Sequence, residues 1–285
     1  QSMQMIGHVM IASTSGKEWQ QVTFDDKGIY GNKGFSPDGN RIAVSMQDPR
    51  FGWTGGSILR CYIMDRNGSN RREIKINDDE STGFLSWSPD GEKLAFWSSP
   101  IDKDSADFCL SDMSGSVAPK RIFKFSNILI SRWIDSTKIV VCTYPLRSHI
   151  LNLEDGSSSP NSEDSTWTFP LQGENVILVI DFRKGREGWW VFREEGKKQH
   201  RTLIASLQAN LSPDMRWLIE SEAPEDGVGK IEIISVPEGK KTVLSIKTPE
   251  HGWFGLNLGY GGKEVIINTK EFKGQLSIME NPFTQ

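Results

Sequence analysis

One ten-residue pattern recurs along this chain and limits what it can fold into. Phe35-Ser36-Pro37-Asp38-Gly39-Asn40-Arg41-Ile42-Ala43-Val44 returns as Trp87-Ser88-Pro89-Asp90-Gly91-Glu92-Lys93-Leu94-Ala95-Phe96. A weaker copy is Leu211-Ser212-Pro213-Asp214-Met215-Arg216-Trp217-Leu218-Ile219. Each copy is an apolar run, a turn and a second apolar run. Pro presets φ at the first corner, Asp hydrogen-bonds its own backbone, and Gly accepts positive φ. Ile42 and Val44, like Leu94 and Phe96, alternate with a small residue, which is the period of a strand.

A second signature follows each pair of strands. In the first unit it is Leu59–Asp65, then Arg66-Asn67-Gly68-Ser69, then Arg72-Glu73-Ile74. This reads as a third strand, a tight Asn-Gly turn and a short fourth strand. Similar sequences occupy 108–123 and 231–244. Degenerate copies begin at Trp133, Leu171 and Leu258. The turns lie roughly 40 to 50 residues apart, as repeat units with variable loops do. Four strands per unit is the blade of a propeller. The expected fold is all-β: a six-bladed β-propeller of four-stranded antiparallel blades forming one domain over 1–285. The ring should close by pairing N- and C-terminal strands in one sheet, which leaves no open edge. Both ends, His8–Ala12 and Gln275–Met279, carry a third-strand pattern, so either could fill that slot.

Composition excludes several classes. The formal net charge is −4 with acids and bases interspersed, and without a basic block nucleic acid is not an expected partner. No apolar run is long enough to span a bilayer, so membrane insertion is not expected. The densest basic cluster, Lys197-Lys198-Gln199-His200-Arg201, falls where a third-to-fourth-strand turn belongs. Most of the ten Trp fall at strand starts (Trp87, Trp133, Trp167, Trp253) or within strands, as packing residues between blades. Cys61, Cys109 and Cys142 match no zinc spacing and sit on strands of diverging blades. They read as buried reduced thiols. Gln1-Ser2, with Met3, reads as the remnant of a cleaved tag.

The Phe/Trp-Ser-Pro-Asp-Gly-x-x-Ile/Leu-Ala-Phe/Val pattern, then a strand ending in Met-Asp and an Asn-Gly-Ser turn, resembles the TolB-like β-propeller repeat. The match is strong over 35–74 and 87–123 and fair over 211–244. The chain looks like a free-standing propeller without TolB's N-terminal domain. The resemblance implies a bacterial, periplasmic or other extracytoplasmic protein, with a cytoplasmic one as the alternative. It also implies protein or peptide binding, with an envelope protein as a fitting partner. Similar repeats occur in the non-catalytic propellers of prolyl oligopeptidase and dipeptidyl peptidase IV. Their Gly-x-Ser-x-Gly elbow has no counterpart here. Oligogalacturonate lyase carries a metal-dependent site on a similar propeller, but its expected His-x-His pairing is absent.

In a propeller the loops from strand two to strand three share one face with the connections between blades. Variable loops on a rigid scaffold are where binding concentrates. The longest such loop carries Arg50, Phe51 and Trp53, residue types enriched in interface hot spots. Packing of these aromatics back onto the disc is an equal alternative. Asp102 and Asp104 lie in the second loop, Tyr144 and Arg147 in the third, and Arg186 in the fourth. His251 and Trp253 come from a connection between blades. These ten residues are the candidate partner-binding set. No catalytic set, metal site or cofactor is read, and the reading leans away from an enzyme. The alternative is a carbohydrate-active or saccharide-binding propeller using Asp48, Asp102, Asp104, Glu222 and Asp226, which requires carboxylates that converge.

Overall fold

A computed structural model describes residues 4–13, 19–25, 30–48, 58–101, 105–114, 116–125, 128–143, 147–161, 166–170, 176–181, 189–194, 200–206, 210–221, 228–236, 238–247, 253–259 and 264–273. The architecture is an all-β propeller of four-stranded antiparallel blades. The described strands pair into six such sheets. The first full repeat forms β3 (Tyr30–Phe35), β4 (Arg41–Gln47), β5 (Leu59–Asp65) and β6 (Arg72–Ile74), paired in that order. The second forms β7 (Glu80–Trp87), β8 (Lys93–Pro100), β9 (Ala106–Asp112) and β10 (Lys120–Phe125). Next come β11 (Ile128–Trp133), β12 (Lys138–Thr143), β13 (Arg147–Asn152) and β14 (Ser158–Pro160). The fourth sheet holds β15 (Thr166–Pro170), β16 (Val176–Asp181), β17 (Trp189–Glu194) and β18 (His200–Ser206). The fifth holds β19 (Asn210–Leu211), β20 (Trp217–Ser221), β21 (Val228–Ser235) and β22 (Lys241–Lys247).

The remaining sheet combines both ends of the chain. β23 (Trp253–Leu258) and β24 (Glu264–Lys273) are followed by β1 (Gln4–Ser13) and β2 (Trp19–Gln21). β1 runs antiparallel to β24 in unbroken register from Gln4↔Lys273 to Ser13↔Glu264. The N-terminal segment therefore supplies the third and fourth strands. The other candidate for that slot, Gln275–Met279, lies outside the described residues.

The sheets face one another around a ring, and the core lies between them. Val9, Ile11 and Ile266 of the shared sheet pack on Phe35, Ile42, Val44 and Met64. Ala43, Ile63 and Ile74 meet Phe84, Trp87, Leu94 and Phe96. Leu85, Ala95 and Phe108 meet Trp133, Ile139, Val141 and Leu151. One cluster runs from Val140 and Cys142 through Trp167, Phe169 and Ile180 to Leu211, Met215 and Leu218. Ile219, Ile231 and Ile233 pack on Leu258 and Val265, which returns to the shared sheet. The Ile-Ala-Val and Leu-Ala-Phe triplets explain this layout. Their large side chains point to one neighbour and the alanine to the other, so each sheet is buried on both faces. Trp87 and Trp133 close their strands instead of opening them, and both are buried. The Trp87 indole donates to the Gly34 carbonyl of the preceding sheet at 3.1 Å, and Arg41 stacks over its ring at 5.1 Å.

The Ser-Pro-Asp-Gly turns are held by side chains. Ser36 Oγ donates to Asp38 and accepts from the Arg41 N–H at 3.0 Å, while Gly39 sits at φ 72°. Ser88, Asp90, Lys93 and Gly91 repeat this arrangement. The third copy keeps the turn with Met215 in place of Gly, at φ 55°. The Met215 side chain is buried in the core, and that burial opposes the backbone cost. In the degenerate copy Asp135 alone caps the turn, accepting from the Thr137 and Lys138 N–H groups at 2.8 Å.

The Asn67-Gly68 turn between β5 and β6 does more than reverse the chain. Gly68 adopts φ 86°, and a Cβ there would lie 2.2 Å from the Val22 carbonyl oxygen of the shared sheet. Arg66, on the same turn, forms a two-pronged ion pair with Glu264 at the start of β24. The turn thus buttresses the seam that joins the two chain ends. Gly68→Ala should cost on the order of 2–4 kcal/mol, from strain plus a backbone collision. Urea denaturation checks this; a cost below about 0.5 kcal/mol would mean the seam does not press on the turn.

Candidate functional site

The first strands of five of the six described sheets, β3, β7, β11, β19 and β23, line a central cavity of about 400 Å³. Gly31, Lys33, Gly34 and Phe35 come from β3; Phe84, Leu85, Ser86 and Trp87 from β7; Leu129, Ile130, Arg132 and Trp133 from β11. β19 adds Asn210 and Leu211, and β23 adds Asn257 and Leu258. The residue before each strand's last core residue is Gly34, Ser86, Arg132, Asn210 or Asn257. Four of these, Ser86, Arg132, Asn210 and Asn257, bring polar side chains to the lining, and Lys33 adds a fifth. β-Bulges in β3, β7, β11 and β23 break the strict alternation along these strands. The Gly34 position has little room to spare, since a Cβ there would lie 3.0 Å from the Phe84 ring.

Two cations line this cavity, and among the described residues no carboxylate does. The Arg132 guanidinium donates to the Ser131 and Leu211 carbonyls at 2.8 and 3.1 Å, bridging β11 and β19. Lys33 is 4 % exposed. Burial alone lowers its pKa from 10.5 to about 7. The titratable side chains described on strands packed against β3 are His8, Arg41, Glu80 and Glu264, and β24 also carries Lys270, Glu271 and Lys273. Three are engaged elsewhere: Arg41 with Gly91, Glu80 with Arg121 and Glu264 with Arg66.

A second polar assembly lies on the loop-rich side. Arg60, 3 % exposed, donates to Asp48 at 3.1 Å and to the carbonyls of Glu80 and Asp78 at 2.8 and 3.0 Å. The Asp48 N–H donates to the Ile58 carbonyl at 2.8 Å, which joins the two residues on either side of 49–57. Glu80 accepts from Ser98, Asn77 and Arg121. Burial works against its charge, but those bonds outweigh it and hold the carboxyl below its usual range.

Of the candidate residues, Arg50, Phe51, Trp53, Asp102, Asp104, Tyr144, Arg186 and His251 lie outside the described residues, as do Glu222 and Asp226. Arg147 opens β13 with an exposed side chain, paired through its backbone with Thr143. Trp253 opens β23 opposite Thr269, and its side chain is outside the description. Asp48, one of the acids weighed for sugar chemistry, is committed to Arg60. Among the described residues no cluster of His, Cys, Asp and Glu could hold a metal. His149 is half-buried against Phe125, with ring centroids 5.7 Å apart; burial and Arg147 lower its pKa. All three thiols are free and buried; burial pushes Cys109 up to about 12 and the other two upward as well. Sequence reading missed Lys33 and Arg132. The available signal was a cation within three residues of the end of a first strand, where Leu85 and Leu256 stand in other repeats.

The fold is that of a β-propeller. Among solved structures it is similar to TolB from Acinetobacter baumannii, with TM-score 0.60 and 13% identity over 86% of this chain. This chain covers 64% of that protein's length. It is also similar to the propeller domain of the Trilobed protease from Pyrococcus furiosus (TM-score 0.51, 16% identity, 84% of this chain and 77% of that one). Oligogalacturonate lyase in complex with manganese matches at TM-score 0.50 and 13% identity, over 91% of this chain and 77% of the other. No protein-family model and no curated protein matches the chain. At these identities the likeness establishes the fold alone.

Lys33 makes a prediction of its own. Its native pKa lies below the unfolded value, so between about pH 7 and 10.5 the unfolded chain binds more protons. Native stability therefore rises with pH across that window, and the burial penalty is fully present below it. Lys33→Met should raise the melting temperature at pH 6, and its advantage over wild type should shrink toward pH 10. Thermal melts at both pH values test this; an equal gap at both would place Lys33 in solvent.

Proposed function

We propose that this chain is a single-domain, six-bladed, non-enzymatic propeller that binds a protein or peptide partner through its loop-rich face. The observation that carries the reading is the Arg60 clamp. A buried guanidinium ties the end of β4, the start of β5 and the connection into β7 together. That gives the Arg50, Phe51 and Trp53 segment a fixed base, and preorganised anchors bind at lower entropic cost. Arg147 adds an exposed cation from the next-but-one sheet on the same side. Described acids such as Asp38, Asp90, Asp135, Asp48 and Glu80 are engaged in turns and ion pairs, which favours a scaffold over acid–base chemistry. The TolB-like fold favours an extracytoplasmic location and an envelope partner.

The test is a double variant, Arg50→Ala with Trp53→Ala. Capture from an envelope extract should fall about tenfold or more, as loss of hot-spot residues does. The melting temperature should not move, because the bonds of Arg60 to Asp48, Asp78 and Glu80 remain in place. Undiminished capture at wild-type stability would reject this face.

A further inference from the structure

The loop-face reading leaves Lys33 without a role. A buried ammonium is costly unless a counter-charge accompanies it. Among the described residues the Lys33 side chain has no hydrogen-bond or carboxylate partner, although it lines the central cavity. Met would fill the same space at no electrostatic cost. Arg132 lines the same cavity, with the amides of Asn210 and Asn257 completing a wall rich in donors. A cavity of about 400 Å³ is within the size range of small-ligand sites.

We propose that the central channel binds a carboxylate, with Lys33 as its ion-pair partner and Arg132, Asn210 and Asn257 around it. The inference goes beyond the loop-face reading and does not need the partner to be a protein. A phosphate fits less well. It brings up to two negative charges and three strong acceptor oxygens. Arg132 already donates to two carbonyls, and Phe84, Leu85, Trp133 and Leu211 make much of the wall apolar. One ammonium with neutral amide donors suits a singly charged group on an apolar body. The carboxylate could be a free organic acid or the C-terminus of a peptide.

Protonation should gate the site. Burial leaves Lys33 about half protonated near pH 7, charged below and neutral above, whereas a carboxylate stays ionised well below that. The titratable side chains described on the strands around β3, namely His8, Arg41, Glu80 and Glu264, do not contribute to the shift, whose cause is burial; β24 also carries Lys270, Glu271 and Lys273. Affinity should therefore be high at pH 6 and fall about tenfold or more by pH 9.

Calorimetric titration tests the proposal with four probes: 4-methylpentanoate, an acetylated dileucine with a free C-terminus, the same peptide amidated, and inorganic phosphate. At least one of the two carboxylates should bind at pH 6, weaken by pH 9, and lose binding in Lys33→Met and Lys33→Gln. Binding by the free acid alone assigns a small organic acid; binding by the peptide alone assigns a chain terminus. No binding by either carboxylate would overturn the proposal. So would equal binding of the amidated peptide, phosphate binding tighter than both carboxylates, or affinity unchanged in both variants. The wild-type pH profile needs no variant, so a folding defect in one cannot shelter the idea. The Arg50 and Trp53 side chains play no part in these titrations, so the loop-face reading stands or falls separately.

Discussion

The unbroken pairing of β1 with β24 is the constraint on which the rest depends. A sheet in a ring is buried only if another sheet covers each of its faces. The core clusters pass from sheet to sheet and return to the one that holds both chain ends. Parting β1 from β24 would expose Val9 and Ile11 together with Ile266. Each fully buried aliphatic side chain contributes about 1.5–3 kcal/mol, so opening the seam loses several such terms at once. The seam is also reinforced from outside. The Gly68 turn meets Val22, and Arg66 grips Glu264 while stacking over Phe35 at 5.6 Å.

The repeated turns settle the fate of several described acids. Asp38 and Asp90 receive hydrogen bonds from the serine two residues earlier and from the backbone two residues on. Burial opposes their charge, and those bonds overcome it, so both are held below the usual carboxylate range. A carboxylate so engaged is a structural cap and a poor proton shuttle. The same holds for Glu80, which ties β7 to β8 and β10 of its own sheet through Ser98 and Arg121.

The two buried cations contrast. Arg60 is enclosed with its counter-ion and with carbonyls that satisfy its fork, so removing a partner would strand a charge and removing the whole set would not. Lys33 is buried, lines the channel with Gly34 and Phe84, and carries a lowered pKa with no side-chain partner among the described residues. The first arrangement builds a rigid base for the loop-rich face. The second leaves an electrostatic demand in the channel that a ligand can meet.

The sequence by itself determined the strand–turn–strand repeat, because Ser, Pro, Asp and Gly at fixed offsets make one turn with few alternatives. It also determined the third and fourth strands of the first unit, which form where Leu59–Asp65 and Arg72–Ile74 predict them. Local chemistry suffices for such elements. The role of Met215 was only half legible, since its positive φ is tolerated through packing that residues from other sheets supply. Which chain end fills the third slot of the shared sheet was a tertiary decision, for both ends carry the pattern and only register against β24 separates them. The channel belongs to tertiary structure entirely. Lys33 and Arg132 stand 99 positions apart by number and come from different sheets, and no local pattern announces that ring geometry brings both to one axis.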